Sequence, residues 1–304
     1  MNIHDHGKSE DEHNPHSDEL ENKIEHYRKA EKDKISISDS EVEHALDNIL
    51  QEIETTEEKN KNSSGKNWKL YSIAASIAFL LTVVFLSIPK SIQVSNGEIT
   101  SITLPDGSDV TLNSGSELKY SRLFNFTGRN VELYGEGYFQ VDSQPGNPFT
   151  VTTQNSQVTV LGTEFNLTDW NQQNGIKSKV TVTEGKVEYL NISDERFFIL
   201  EENDEAVIDQ NFELTQLKAD LKNSVAWLSN NISFQKEPLT HAFEKLERRF
   251  DITIEYQSVV PEEGNSISAF YNKPDDAESI IQDICIIKGL SYQKTHNGFK
   301  ISTN

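Results

Sequence analysis

The chain has a single cysteine, Cys285, so no disulfide can form within it, and neither a cysteine-based zinc site nor a thiol redox pair is available. Basic residues are also scarce. Against 49 Asp and Glu stand 28 Lys and Arg, a net charge of −21, which removes the basic footprint that direct nucleic-acid binding requires. Apolar residues make up only 35% of the 304 residues, and the deficit is uneven. Residues 1–58 contain no Phe or Trp and carry 18 acids to 6 bases, whereas residues 91–304 carry 31 acids, 17 bases and most of the aromatics. No Ser-His-Asp clustering and no glycine-rich phosphate loop occurs. His4, His6, His13 and His16 match no structural zinc spacing, so no metal and no cofactor is expected.

One feature is present in full. From Leu70 to Ile88 the chain reads LYSIAASIAFLLTVVFLSI, without a charge, a glycine or a proline. At about 1.5 Å rise per residue such a helix covers nearly the whole hydrocarbon core of a bilayer. A core helix would show a polar face, and Ser72, Ser76, Thr82 and Ser87 are scattered around it instead. A secretory signal would lie nearer the N-terminus. Lys59, Lys61, Lys66 and Lys69 precede the run and only Lys90 follows closely, which keeps the N-terminal side in the cytoplasm. Trp68 and Tyr71 stand where interfacial aromatics belong. The expectation is a multidomain, single-pass membrane protein, with residues 1–67 cytoplasmic, residues 68–89 in the membrane and the C-terminal side exported.

The cytoplasmic part begins with a polar, His-rich stretch, Met1 to about Ser17, that reads as disordered. Asp18 to Lys34 is a marginal helix. Ser38 or Ser40 then caps a better one, in which Val42, Leu46, Ile49 and Ile53 recur at helical spacing beside Ala45 and Leu50. A polar linker, Glu57 to Asn67, separates this stripe from the membrane run. A lone helix of about fifteen residues is barely stable, so the stripe needs a partner, and a cytoplasmic protein is the natural one. The alternatives are a local two-helix hairpin or a solvated tail.

Beyond the span the hydrophobic period changes to two. Residues 91–220 read as an all-β domain, with strands at Glu117–Tyr120, Val131–Val141, Phe149–Thr152, Val158–Leu161, Phe165–Leu167, Val180–Thr183 and Lys186–Leu190. Turns fall at Pro105–Gly107, Asn113–Gly115, Gly128–Asn130, Pro145–Pro148, Asn174–Gly175 and Glu184–Gly185. A sandwich, a barrel and a solenoid all fit. Gly135, Gly137 and Gly162 lie inside strand patterns and mark bulges or tight corners. Glu136 and Glu164 each follow a glycine, and the expectation is backbone-bonded or solvated carboxylates, not a catalytic pair. Trp170 is expected in an exposed loop.

Residues 223–304 change pattern again. Ile232–Phe234 reads as a strand, and a helix begins near Pro238 with Leu239, Ala242, Phe243, Leu246 and Phe250 as its stripe. A second unit follows: strand Ile267–Tyr271, a cap at Asp275 or Asp276, and the stripe Ala277, Ile280, Ile281, Ile284. A hairpin through His296–Gly298 closes a small α+β domain. Cys285, among Ile284, Ile286 and Ile287, reads as a buried structural thiol, and His241 as a solvated helix residue.

Leu104-Pro105-Asp106-Gly107-Ser108, Arg129-Asn130-Val131-Glu132-Leu133, Gly135-Glu136-Gly137-Tyr138-Phe139, Leu161-Gly162-Thr163-Glu164-Phe165-Asn166 and Val182-Thr183-Glu184-Gly185-Lys186-Val187 resemble, in order, the FecR-type periplasmic domain. Phe234, Pro238, Leu239, Phe243, Leu246, Phe270, Ile280 and Leu290 resemble the apolar pattern of a FecR C-terminal domain related to the short N-terminal module of secretins and TonB-dependent receptors. The resemblance implies a solenoid-like β-domain and an anti-sigma regulator without enzymatic activity. Its partners would be an extracytoplasmic-function sigma factor inside, held through Val42, Leu46, Ile49 and Ile53, and outside the signalling domain of a TonB-dependent outer-membrane transporter. The helical segment before the span is shorter than in most of the family. The rival readings are a glycan-active enzyme and an inert envelope protein.

Overall fold

The computed structural model describes residues 44, 47–48, 51, 66–170, 175–256 and 265–303. Val42, Leu46, Ile49 and Ile53 lie outside these residues; between them, His44, Asp47, Asn48 and Gln51 are helical and exposed. The chain divides into two compact units, Met1–Phe85 and Leu86–Asn304.

In the first unit the main element is helix α1 (Lys66–Ser87). Its window Leu70–Ser87 has a mean hydropathy of 2.2, and none of it is covered by protein. An apolar, uncovered helix of this length suits a lipid surround. The scattered hydroxyls are compatible with that setting: Ser76 and Thr82 donate back to the carbonyls of Ser72 and Ala78, at 2.9 and 2.8 Å.

The second unit opens with a β-domain. Its strands are β1 (Lys90–Gln93), β2 (Thr100–Thr103), β3 (Asp109–Leu112), β4 (Glu117–Tyr120), β5 (Arg129–Gln140), β6 (Phe149–Thr152) and β7 (Ser156–Val160). There follow β8 (Glu164–Asp169), β9 (Ile176–Glu184), β10 (Lys186–Asn191), β11 (Phe197–Glu201), β12 (Asp204–Asp209) and β13 (Leu214–Lys218). They form two sheets that share one strand. The first half of β5 pairs with β4 and β6, and its second half pairs with β3 and β8. The first sheet runs β1-β4-β5-β6-β7-β10-β11 and the second β2-β3-β5-β8-β9-β12-β13. Of the architectures the strand pattern allows, this is a sandwich-like one around a single core.

The crossing point is Gly135, at φ +104°, where a Cβ would come within 2.5 Å of the Ser116 Oγ and 2.9 Å of the Ser116 Cα. Only glycine fits such an approach in that conformation. Ser116 then secures the corner, its Oγ accepting from the Glu136 N–H at 2.9 Å and donating to the Glu136 carbonyl at 3.0 Å. Between the sheets Phe139 stacks on Phe165 at 5.0 Å, with Phe149 edge-on to Phe139. All three rings are fully buried, and each contributes about 1.5–3 kcal/mol of transfer free energy.

Arg129 corrects one expectation. It opens β5 instead of sitting in a turn, and its side chain is wholly buried. Asp106 pairs with it at 2.7 Å, and it donates to the carbonyls of Asn147 and Asp142. Those acceptors satisfy the guanidinium, which is why a charge is tolerated there.

The α+β region follows a short linker made of α2 (Leu221–Ser224) and a 3-10 turn, Ala226–Ser229. Its elements are β14 (Ile232–Pro238), α3 (Leu239–Phe250), β15 (Thr253–Tyr256), β16 (Ser266–Tyr271), α4 (Ala277–Lys288), β17 (Leu290–Thr295) and β18 (Gly298–Thr303). β14 pairs antiparallel with β16; β18 pairs parallel with β15 and antiparallel with β17. The Asp276 side chain caps α4 by accepting from the Ser279 N–H at 2.9 Å, and Gly289 ends the helix in a left-handed conformation. Leu239, Phe243, Leu246, Ile280, Ile281 and Ile284 form the core.

Three apolar residues lie outside this core. Phe270 is on the outer side of β16, with the Lys222 ammonium 4.7 Å above its ring. Ile286 and Ile287 are 71% and 62% exposed. Residues 277, 280, 281 and 284 share one face of α4; a period of 3.6 turns 286 to the opposite side, while 287 is exposed in the last turn of the helix.

Candidate functional site

The linker and α3 both meet the outer face of the second sheet. Alternation along β9 and β12 sends Val180, Val182, Ala206 and Ile208 into the core and turns Lys177, Lys179, Glu205 and Val207 outward. Trp227, in the 3-10 turn, packs onto this face and is buried. Its Nε1 donates to the Asn166 Oδ1 at 3.1 Å, and the Asn166 Nδ2 donates to the Glu136 Oε1 at 3.0 Å. Glu136 also accepts from the Thr168 Oγ1 at 3.1 Å and from the Asn113 Nδ2 at 2.8 Å. One turn earlier, the Glu205 carboxylate accepts from Ser224 and Thr181, at 2.9 and 2.8 Å.

A second contact comes from α3. The Arg248 guanidinium lies 3.9 Å from the centroid of Trp170, whose edge meets Tyr134 at 5.8 Å. The Gly97 N–H donates to the Arg248 carbonyl at 2.7 Å. Burial lowers the pKa of Arg248, while Glu244 and Glu136 draw it back up. Between these two contacts lies a cleft of about 450 Å³, walled by the sheet on one side and by β14 and α3 on the other.

Several expectations change here. Glu136 is neither solvated nor backbone-bonded; neighbouring side-chain amides and a hydroxyl hold its carboxylate. Glu164 accepts from the Tyr138 hydroxyl at 2.8 Å and from Gln140 at 3.1 Å. Burial, with this carboxylate adding to it, pushes the Tyr138 pKa up to about 12. Glu136 lies opposite Thr168 and Glu164 opposite Gln140. Four residues of strand, about 13 Å, therefore separate the two carboxylates, more than a glycosidase pair spans. Trp170 is not loose in a loop; it is held between Arg248 and Tyr134.

His241 is only 5% exposed, not solvated. The backbone at Gly175 covers it so closely that a Cβ there would lie 2.8 Å from the imidazole Cε1. Its ring nitrogens make no hydrogen bond among the described residues, and the ring borders the cleft. Cys285 is buried as expected, and burial raises its thiol pKa away from reactivity. Among the described residues no group of three or more His, Cys, Asp or Glu could hold a metal ion.

Trp227, His241 and Arg248 had no place among the expected site residues. A signal for two of them exists. Pro238, His241, Lys245 and Arg248 follow one another at three, four and three residues, a second stripe on α3 beside the apolar one.

An apolar helix of membrane length followed by a two-sheet β-domain and a small α+β region is the build of a single-pass signalling regulator. The FecR protein family matches residues 90–188, and the FecR, C-terminal family matches residues 231–301. The chain belongs to the FecR family of anti-sigma regulators. Two crystal structures of a candidate anti-sigma factor from Parabacteroides distasonis, at 2.50 and 1.65 Å, are similar to it. Both are 28% identical and cover 71% of this chain; their TM-scores are 0.66 and 0.65, with 100% and 99% of their own length covered. Among curated proteins none matches the chain.

Proposed function

We propose that the chain holds an extracytoplasmic-function sigma factor in the cytoplasm and adjusts that grip to a signal received on the far side of the inner membrane. The observation that carries this reading is the order of parts. A stripe of Val42, Leu46, Ile49 and Ile53 precedes a membrane-length helix with lysines on its N-terminal flank, and FecR-type domains follow it. The stripe occludes sigma-factor surface. The domains beyond α1 meet the signalling domain of a TonB-dependent outer-membrane transporter, and the strand edges at β15 and β17 are suited to strand addition.

Relay of this kind requires that the partner bind two states of the exported unit with different affinities. No step in it calls for catalysis. Replacing Leu46→Asp together with Ile49→Asp tests the reading through a sigma-dependent reporter. Uncoupling of reporter output from the inducing signal is expected; a reporter that responds as in the wild type contradicts it.

A further inference from the structure

The cleft between the second sheet and α3 runs against the charge of the molecule. Six Lys or Arg side chains line it against three Glu, in a chain of net charge −21. The three carboxylates are engaged: Glu136 by Asn113, Asn166 and Thr168, Glu205 by Thr181 and Ser224, and Glu237 by Lys245 at 3.7 Å. Three cations are not matched. Lys177 lies over the Phe212 ring, Arg249 lies over the Phe250 ring and donates to the Asn230 amide oxygen, and among the described residues none of Lys177, Arg249 and Lys236 has a carboxylate partner.

Lys236 is also presented deliberately. The ladder between β14 and β16 shifts register between Phe234 and Glu237, and Lys236 sits in that bulge at φ +49°, its N–H bonded to the Ser268 Oγ at 2.9 Å. A left-handed lysine costs about 1 kcal/mol, a strain found most often where a side chain is aimed at something. Beside these cations His241 is buried without a hydrogen-bond partner among the described residues. The remaining wall is apolar and open-edged. Ile176, Val207 and Leu217 line it, and β13 is the terminal strand of its sheet, so its outer backbone groups are unpaired by any described strand.

We propose that this cleft binds an extended acidic peptide segment of a partner protein. Its carboxylates sit against Lys177, Lys236 and Arg249, a polar group reaches His241, and its backbone follows the free edge of β13. A free small anion would use the cations but leave the edge and the apolar wall idle, which is why a peptide is the better occupant. The cleft volume of about 450 Å³ falls in the range of ligand-binding clefts, roughly 300–1,000 Å³. The proposal rests on the relay reading only for the source of the peptide. Peptide binding scores the cleft alone, and sigma-factor capture scores the N-terminal stripe, so the two fail separately.

The test uses the full chain in phosphatidylcholine nanodiscs and fluorescence anisotropy of labelled hexaglutamate, with hexaglutamine and free glutamate as comparisons. Hexaglutamate is expected to bind at least tenfold more tightly than hexaglutamine at low salt. That binding should weaken as salt rises from 50 to 300 mM. Lys236→Glu, at an exposed position, should lower affinity threefold or more at an unchanged melting temperature, and adding Arg249→Glu, at a half-buried one, should bring the loss to tenfold or more. His241→Phe, which keeps the ring volume, should lower it about threefold. Equal binding of the two peptides, no binding of either, or indifference to the charge reversal overturns the proposal. So does displacement by free glutamate at equal carboxylate concentration, which would mark a small-anion site instead.

Discussion

Trp227→Ala attacks the contact that fixes the linker to the β-domain. Trp227 is only 7% exposed, and its indole N–H donates to the Asn166 Oδ1. An indole buries roughly 200 Å², which at about 25 cal/mol per Å² is worth about 5 kcal/mol. Truncations of this type cost about 3–5 kcal/mol. Asn166 would also lose its donor while still tied to Glu136, adding about 1 kcal/mol. A loss of about 4 kcal/mol is therefore expected for the unit Leu86–Asn304, read as a shift of the urea midpoint by far-ultraviolet circular dichroism. Trp227→Phe keeps most of the area and drops the N–H, so about 1–2 kcal/mol should go. If the alanine variant costs less than about 1 kcal/mol, or the phenylalanine variant costs as much as the alanine one, the contact does not act as described.

Three further outcomes follow from buried polar contacts and a strained corner. Arg129→Met should cost about 3–5 kcal/mol in urea denaturation, because Asp106 and two carbonyls would be left buried without their donor. Gly135→Ala should cost about 2–4 kcal/mol in the same measurement, from the left-handed φ and the collision with Ser116. The third concerns pH. Burial raises the Asp169 pKa above 3.8, more than the hydrogen bonds from Thr153 and Asn155 lower it. The native state thus holds this proton at pH values where the unfolded chain has released it. That contribution to stability is fully present below the unfolded pKa and is lost as pH rises through the native one. Thermal melts of Asp169→Asn against wild type across this acidic window should show the variant with a less negative slope of stability against pH; parallel slopes would refute the assignment.

How far the amino-acid sequence reached depended on whether a residue answers to its neighbours in the chain or to distant ones. Leu118 and Tyr120 alternate with Glu117 and Lys119, and β4 lies where that alternation ends. The stripe Ala277, Ile280, Ile281, Ile284 and the cap at Asp276 are equally local. Gly135 announced a corner, but which sheets meet there depends on pairings with β3, β4, β6 and β8 that no local pattern encodes. β13 escaped notice because only Leu214 of its five residues is buried, as befits an edge strand. His241 reads as a solvated helix residue until Gly175, sixty-six residues earlier, is seen lying over it. Arg129 reads as part of a turn between Gly128 and Asn130, and its buried role follows from distant partners, Asp106 and the carbonyls of Asn147 and Asp142. The site is thus built from long-range contacts, and the sequence displayed its members without their company.

Sigma-factor capture by the full chain in nanodiscs is the most direct test of the regulatory reading. The sigma factor encoded beside the gene should co-purify with the wild-type chain. It should be lost, by about 100-fold in affinity or more, on Leu46→Asp with Ile49→Asp, since two buried apolar side chains contribute about 1.5–3 kcal/mol each. Equal capture by the wild type and the double variant, or capture by neither, would contradict it.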